Sequence, residues 1–139
     1  MKTFYDVFNP QDNLIKEFEH WVVLFRDNHV TLGSCVFILK RNIPSLAGMT
    51  AEESAELPKV IEWFEAKTKG LYGAEKFNYM ALMMKDPFVH FHAFARYSKQ
   101  VKKYGVEWND VSWPKVLDLM GSNKCDEKVK LQIQKDMKE

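Results

Sequence analysis

Asp86-Pro87-Phe88-Val89-His90-Phe91-His92-Ala93-Phe94-Ala95-Arg96-Tyr97 is the stretch on which the reading of this chain turns. Strict alternation after Pro87 predicts a β-strand from Phe88 to Arg96 with period two. Phe88, His90 and His92 then project from one face, and Val89, Phe91 and Ala93 from the other. Two of the four histidines in the chain fall here, in an otherwise apolar strand. An imidazole in such surroundings costs free energy unless it is hydrogen-bonded. Three roles compete for the pair: polar members of a half-exposed sheet face, metal ligands, since neutral imidazole suits zinc, or a nucleophile with its helper. Spacing alone does not choose among them.

Working outward, Lys85-Asp86-Pro87 supplies turn residues. Phe77 to Met84, apolar on both alternating faces except at Asn78, predicts a central strand covered on both sides and hairpinned to the histidine strand. Before it, Thr50-Ala51-Glu52-Glu53 has the pattern of a capping box. Leu57, Val60, Ile61 and Phe64 give the helix that follows an apolar stripe to lie on a sheet. Pro58 is expected to kink that helix or split off its first turns, and Gly70 and Gly73 to end it. Nearer the start, Asn9 to Asn13 reads as a turn, Leu14 to Phe18 as a short helix, and His20 to Phe25 as the first good strand. Gly33-Ser34 opens a second strand, Cys35 to Lys40. Beyond Tyr97, Lys99, Lys102 and Lys103 mark a solvated face. Gly105 to Trp113 reads as an ordered loop over a sheet edge, and Asp126 caps a last helix with Val129, Ile133 and Met137 on one side. The layout is α+β: an antiparallel sheet with one long helix and shorter terminal helices packed against it, one domain over residues 1–139.

Composition narrows the partners. With 20 basic and 19 acidic residues the net charge is +1, which gives no reason to expect a nucleic-acid partner. The apolar run Trp21 to Phe25 is too short to span a bilayer, and Met1-Lys2-Thr3 leads into no apolar leader, so a cytoplasmic protein without membrane contact is expected. Cys35 and Cys125 are too few for a disulfide framework and form no Cys-x-x-Cys, so no structural metal and no cofactor is expected from them.

Asp-Pro, then apolar residues alternating with His90 and His92, then Arg96-Tyr97, resembles the signature of the histidine triad (HIT) superfamily of nucleotide hydrolases and transferases, His-φ-His-φ-His-φ-φ with φ apolar. The first histidine position falls on Phe88, the middle on His90 and the last on His92. His20 to Arg26, Thr31 to Ser34, Phe77-Asn78-Tyr79, Trp108-Asn109-Asp110 and Trp113-Pro114 extend the likeness over roughly residues 13 to 136. They are similar to the bacterial-type branch labelled diadenosine tetraphosphate hydrolase-like. In that branch the string usually has His before Val and Pro before Arg, where Phe88 and Ala95 stand here.

The resemblance implies a homodimer and a nucleotide substrate, either a dinucleoside polyphosphate or a nucleoside phosphoramidate, attacked at its α-phosphate through a nucleotidyl-histidine. His90 is then the nucleophile. An imidazole with an ordinary pKa near ~6.5 is largely neutral at physiological pH and approaches an anionic phosphorus readily. Its other ring nitrogen needs an acceptor, most simply a backbone carbonyl. His92 is expected to bond a phosphate oxygen as charge develops. Histidines that a better-known branch carries at three helper positions are replaced by Ser34, Asn42 and Phe88, of which Ser34 retains a donor for phosphate. Arg26 falls where relatives hold an acidic residue or Asn against the ribose. Since it accepts nothing from a hydroxyl, it and Arg96 are candidates for distal phosphates, with a structural ion pair the competing role for Arg96. Asn78 completes the candidate substrate-binding set. No metal is expected at the pair, because neither strand offers an obvious third ligand. The second function in view is a catalytically weak nucleotide-binding module that keeps the pocket.

Overall fold

The computed structural model describes residues 5–119 and 124–139; the opening Met1-Lys2-Thr3 lies outside them. A 3-10 turn, Tyr5–Phe8, leads into the one-turn helix α1, Pro10–Asn13. Then come β1 (Leu14–Glu17), β2 (Trp21–Phe25), β3 (Cys35–Leu39), the long helix α2 (Ala51–Tyr72), β4 (Lys76–Met80), β5 (His90–Arg96), the pair β6 (Val101–Lys103) and β7 (Val106–Trp108), and α3 (Glu127–Lys138). Five strands form one sheet in the order β1-β2-β3-β5-β4, antiparallel at every pairing. The expected α+β architecture is therefore present.

Alternation sorts the sheet into two faces. Trp21, Val23, Phe25, Cys35, Phe37, Leu39 and Ala93 are buried on one, against Val60, Phe64 and Tyr72 of α2 and Ile133 and Met137 of α3. On the opposite face Val22, Leu24, Val36 and Ile38 form a smaller cluster, completed by Phe8 and Leu14. In register beside them, Ile38 faces His90 and Val36 faces His92. The histidines thus sit on the face that the long helices leave open.

Several local expectations hold. Thr50 and Glu53 form the reciprocal capping box at the start of α2, and Asp126 caps α3 by accepting from the Lys128 amide. Val129, Ile133 and Met137 are buried along α3 as read. Gly73 ends α2 at φ 73°, the left-handed conformation glycine adopts without strain. Pro58 does not split α2, which runs unbroken over Ala51–Tyr72. The proline is on the exposed side, where solvent compensates for the missing amide bond.

Other expectations are corrected. Leu14 to Glu17 is strand and not helix: a five-residue helix is marginal by itself, whereas pairing with β2 satisfies its backbone and buries Ile15. The strand from Phe77 stops at Met80 and lies at the sheet edge, with Leu82 and Met84 exposed beyond it. Its apolar run continues into a loop, so it was not a sign of two-sided cover. The histidine strand begins at His90, two residues later than read. Gly105 to Trp113 is part hairpin: Tyr104 at φ 58° and Gly105 at φ 72° make the two-residue turn between β6 and β7. The Tyr104 hydroxyl compensates for that backbone by donating to Asp136 at 2.7 Å and contacting the Tyr72 hydroxyl at 2.8 Å. Among the described residues no helix is long and apolar enough to cross a membrane.

The loop joining β2 to β3 is built on a buried histidine, His29, which reads in the sequence only as part of a polar loop. His29 is 0% exposed, stacked on Phe25 with ring centroids 4.5 Å apart. Its Nε2 accepts from the Gly33 amide at 2.8 Å, so the proton is on Nδ1, which donates to the Arg26 carbonyl at 3.1 Å. Gly33 itself, at φ 91° with Thr68 Cγ2 only 3.0 Å from where a Cβ would sit, has no room for a side chain. Burial lowers the His29 pKa to about 4 from an ordinary 6.5. The unfolded chain therefore binds this proton first, so the contribution of neutral His29 is complete above pH 6.5 and is lost as pH falls through 4. From His29 alone, stability should drop by about 2 kcal/mol between pH 7.5 and pH 5. Urea midpoints at the two pH values check this; a flat midpoint contradicts it.

Candidate active site

The two histidines of β5 are held in opposite tautomers, each by a different protein group. His90 Nδ1 lies 2.7 Å from the Phe88 carbonyl. A carbonyl can only accept, so Nδ1 carries the proton and Nε2 the lone pair. A backbone carbonyl, the kind of acceptor expected for one ring nitrogen of His90, is thus in place. Phe88, two residues before His90 and just ahead of the first residue of β5, contributes its carbonyl to this contact.

His92 is the inverse. Its Nδ1 accepts from Arg26 Nε at 3.2 Å, which puts its proton on Nε2. Burial first, then the charges of Arg26 and His90, lower the His92 pKa to about 3. At neutral pH His92 is therefore an uncharged N–H donor and not an imidazolium. The two rings are nearly perpendicular, with centroids 5.0 Å apart and an interplanar angle of 86°. An acceptor nitrogen of His90 and an N–H of His92 thus stand side by side.

Arg26 is the hub of this arrangement. Besides His92 it donates from Nη1 to the Asn28 carbonyl, and its guanidinium lies 5.2 Å from the Phe94 ring centroid. Burial lowers its pKa, yet an arginine stays charged. Nη2 has no protein partner among the described residues, which leaves one donor edge for an anion. The loop closed by His29 fixes the Arg26 backbone, so a histidine in the core supports a histidine in the site through one residue.

The remaining expected substrate contacts are engaged elsewhere. Ser34 is 0% exposed; its hydroxyl donates to the Thr31 carbonyl at 2.6 Å and accepts from the Thr31 amide at 3.1 Å. It shapes the same loop as His29. Arg96, 4% exposed, forms a bidentate pair with Asp110, Nε at 2.6 Å and Nη2 at 3.1 Å. It also donates to Asn78 Oδ1 and to the Lys115 carbonyl, both at 2.7 Å. Arg96 and Asn78 therefore tie β5 and β4 to the segment 110–115, and neither points a spare donor at the histidines. The ion-pair role weighed for Arg96 is the one the geometry supports.

Phe8 was missed altogether. From the 3-10 turn before α1, its ring lies against both imidazoles, with centroids 5.5 Å from His90 and 6.4 Å from His92. Nothing in the local sequence announced this contact, because residues 5–8 have no periodicity that ties them to β5. On the same sheet face, a cavity of about 380 Å³ opens over Val22 and Ile38, rimmed by Glu17, Lys40 and Asn42. A second possible ligand cluster, Glu19, His20 and Glu56, has its donor atoms within 4.8 Å of one another. It is a separate surface feature between the β1–β2 turn and α2, and it shares no residue with the histidine pair.

No protein-family model matches the sequence, and no curated protein matches it. Solved structures do. A histidine triad protein from Sinorhizobium meliloti superposes with a TM-score of 0.75 at 18% identity, over 99% of this chain and 93% of that one. A hypothetical histidine triad nucleotide-binding protein from Sulfolobus tokodaii gives 0.70 at 15% identity, over 99% and 89%. A zinc-bound histidine triad family protein from Mycobacterium smegmatis gives 0.59 at 15%, over 89% and 82%. The five-stranded antiparallel sheet with the long helix across one face is, in its arrangement, the fold of these histidine triad proteins.

Proposed function

We propose that this chain is a nucleotide hydrolase or nucleotidyl transferase that acts at an α-phosphate through a covalent nucleotidyl-histidine on His90. The observation that carries this is the pair of opposite tautomers. His90 Nε2 attacks phosphorus as its bond to the leaving group breaks, giving a cationic phosphoramidate stabilised at Nδ1–H by the Phe88 carbonyl. His92 Nε2–H, held in place by Arg26, donates to a phosphoryl oxygen as charge builds on it, without first taking a proton from solvent. Water or another acceptor then displaces His90 and releases the nucleotide. Arg26 Nη2 supports binding of a phosphate beyond the one attacked, which fits dinucleoside polyphosphates or related phosphoanhydrides. Phosphoramidates remain the comparison class, and the diadenosine tetraphosphate-like branch is part of the proposal.

The test is a turnover panel of dinucleoside polyphosphates and nucleoside phosphoramidates, with acid-free quenching and peptide mass spectrometry for a nucleotidyl adduct. Turnover with the adduct on His90 is the expected result. Tight nucleotide binding with neither turnover nor adduct would instead identify a nucleotide-binding protein that keeps the fold without the chemistry.

A further inference from the structure

His90 is 1% exposed, and a side chain that covered cannot meet a phosphate in the conformation described. Something must move before the proposed attack. The strand that carries His90 is held by ladders on both sides, to β3 and β4, so it is not the moving part. The cover is. Phe8 lies over both imidazole rings, and it comes from a four-residue 3-10 turn in which Asp6 and Val7 face solvent.

The way this turn is attached suits a hinge. Asn9, which follows it, has φ 54° and ψ 61°, a left-handed conformation that asparagine tolerates better than most residues. Immediately after, α1 and β1 are anchored. Asn13, 0% exposed, receives a bond from Gln134 of α3. It donates to Asp27 at 2.9 Å, and Asp27 is in turn bonded by Lys130 at 2.9 Å. The same Asn13 amide donates to the Phe8 carbonyl at 2.9 Å. One fixed side chain therefore latches the back of the turn, while the front of the turn rests on the histidines.

We infer that the segment Tyr5–Asn9 is a lid, hinged at Asn9 and latched by Asn13, which closes Phe8 over His90 and His92 and swings out to admit substrate. Closed, it excludes water from the nucleophile; open, it exposes His90 Nε2 from the side that faces away from the Phe88 carbonyl. Openings of this size take place as local fluctuations without unfolding of the sheet.

Diethyl pyrocarbonate, which acylates neutral imidazole nitrogens, reads this access without requiring turnover, so the result does not depend on whether the protein processes nucleotides. Site-specific rates at pH 7 come from peptide mass spectrometry. In the wild type His20, whose side chain is 30% exposed, should react fast and His90 at least tenfold more slowly. Phe8→Gly, and independently Asn13→Ala, should raise the His90 rate tenfold or more. His29 is the internal control: it is as buried as His90 but beneath the β2–β3 loop, away from Phe8, and its rate should stay unchanged. The inference is overturned if wild-type His90 reacts as fast as His20, if Phe8→Gly accelerates it less than tenfold, or if His29 accelerates in step with it, which would mark a general loosening of the fold.

Discussion

Replacing His90 by alanine is expected to lower kcat on a competent nucleotide by more than about a hundredfold, ~3 kcal/mol of barrier, while the affinity for a nucleoside monophosphate changes by less than about threefold. The asymmetry follows from what each group does. In the proposed reaction, bond-making at phosphorus needs the lone pair at Nε2, whereas Arg26 and His92 would hold the phosphates of the bound ground state. Thermal denaturation shows whether the variant is folded, and single-turnover kinetics with a monophosphate binding isotherm separates the two effects. More than a hundredth of wild-type kcat would remove His90 from the nucleophile role.

The largest expected effect on stability lies on the opposite end of β5. Asp110, with its side chain 0% exposed, is the anion for the buried Arg96 and also accepts from the Tyr97 amide at 3.2 Å. Asp110→Ala would leave a guanidinium buried without its counter-charge, which costs about 3–5 kcal/mol. That is a large part of the whole stability of a domain this size, about 5–15 kcal/mol. The pair differs from its removal: Arg96→Met with Asp110→Leu takes away both charges and should cost less than Asp110→Ala alone. Urea midpoints of the three proteins decide the matter. A double variant as unstable as Asp110→Ala would show that packing, and not the unpaired charge, sets the loss.

What could be read from the sequence, and what could not, divides along the range of the interactions. The α2 capping box, the α3 cap at Asp126, the strands over Trp21–Phe25 and Cys35–Leu39 and the alternation of His90 with His92 are all written within a few residues, and each appears close to where it was read. The placement of β4 was not legible, because an apolar run is the same whether it is covered twice or runs out of the sheet into an exposed loop. Neither was Leu14 to Glu17, whose strand state is imposed by a partner that helical propensity does not see. In the site, His90 and His92 were found because they sit two apart on one strand. The groups that set their tautomers were harder: a backbone carbonyl of an aromatic residue leaves no compositional trace, and Arg26 meets His92 across 66 positions of chain. Ser34 and Arg96 show the converse, since a polar residue near a site need not face it, and only the closed network around each reveals its direction.

The bonds from α3 to the start of the chain have a consequence for the order of assembly. Lys130 reaches Asp27 across 103 positions and Gln134 reaches Asp12 across 122, so they close very long loops and gain nothing until the chain through residue 134 is available. The hairpin of β2 with β3 and its ladder to β5 can form earlier. A chain still emerging from the ribosome would thus present its two-histidine strand before α3 arrives to pin Asn13, and with it the lid. The histidine strand is paired first, and the Phe8 cover is pinned last, through an Asn13 that α3 holds from the far side of the sheet.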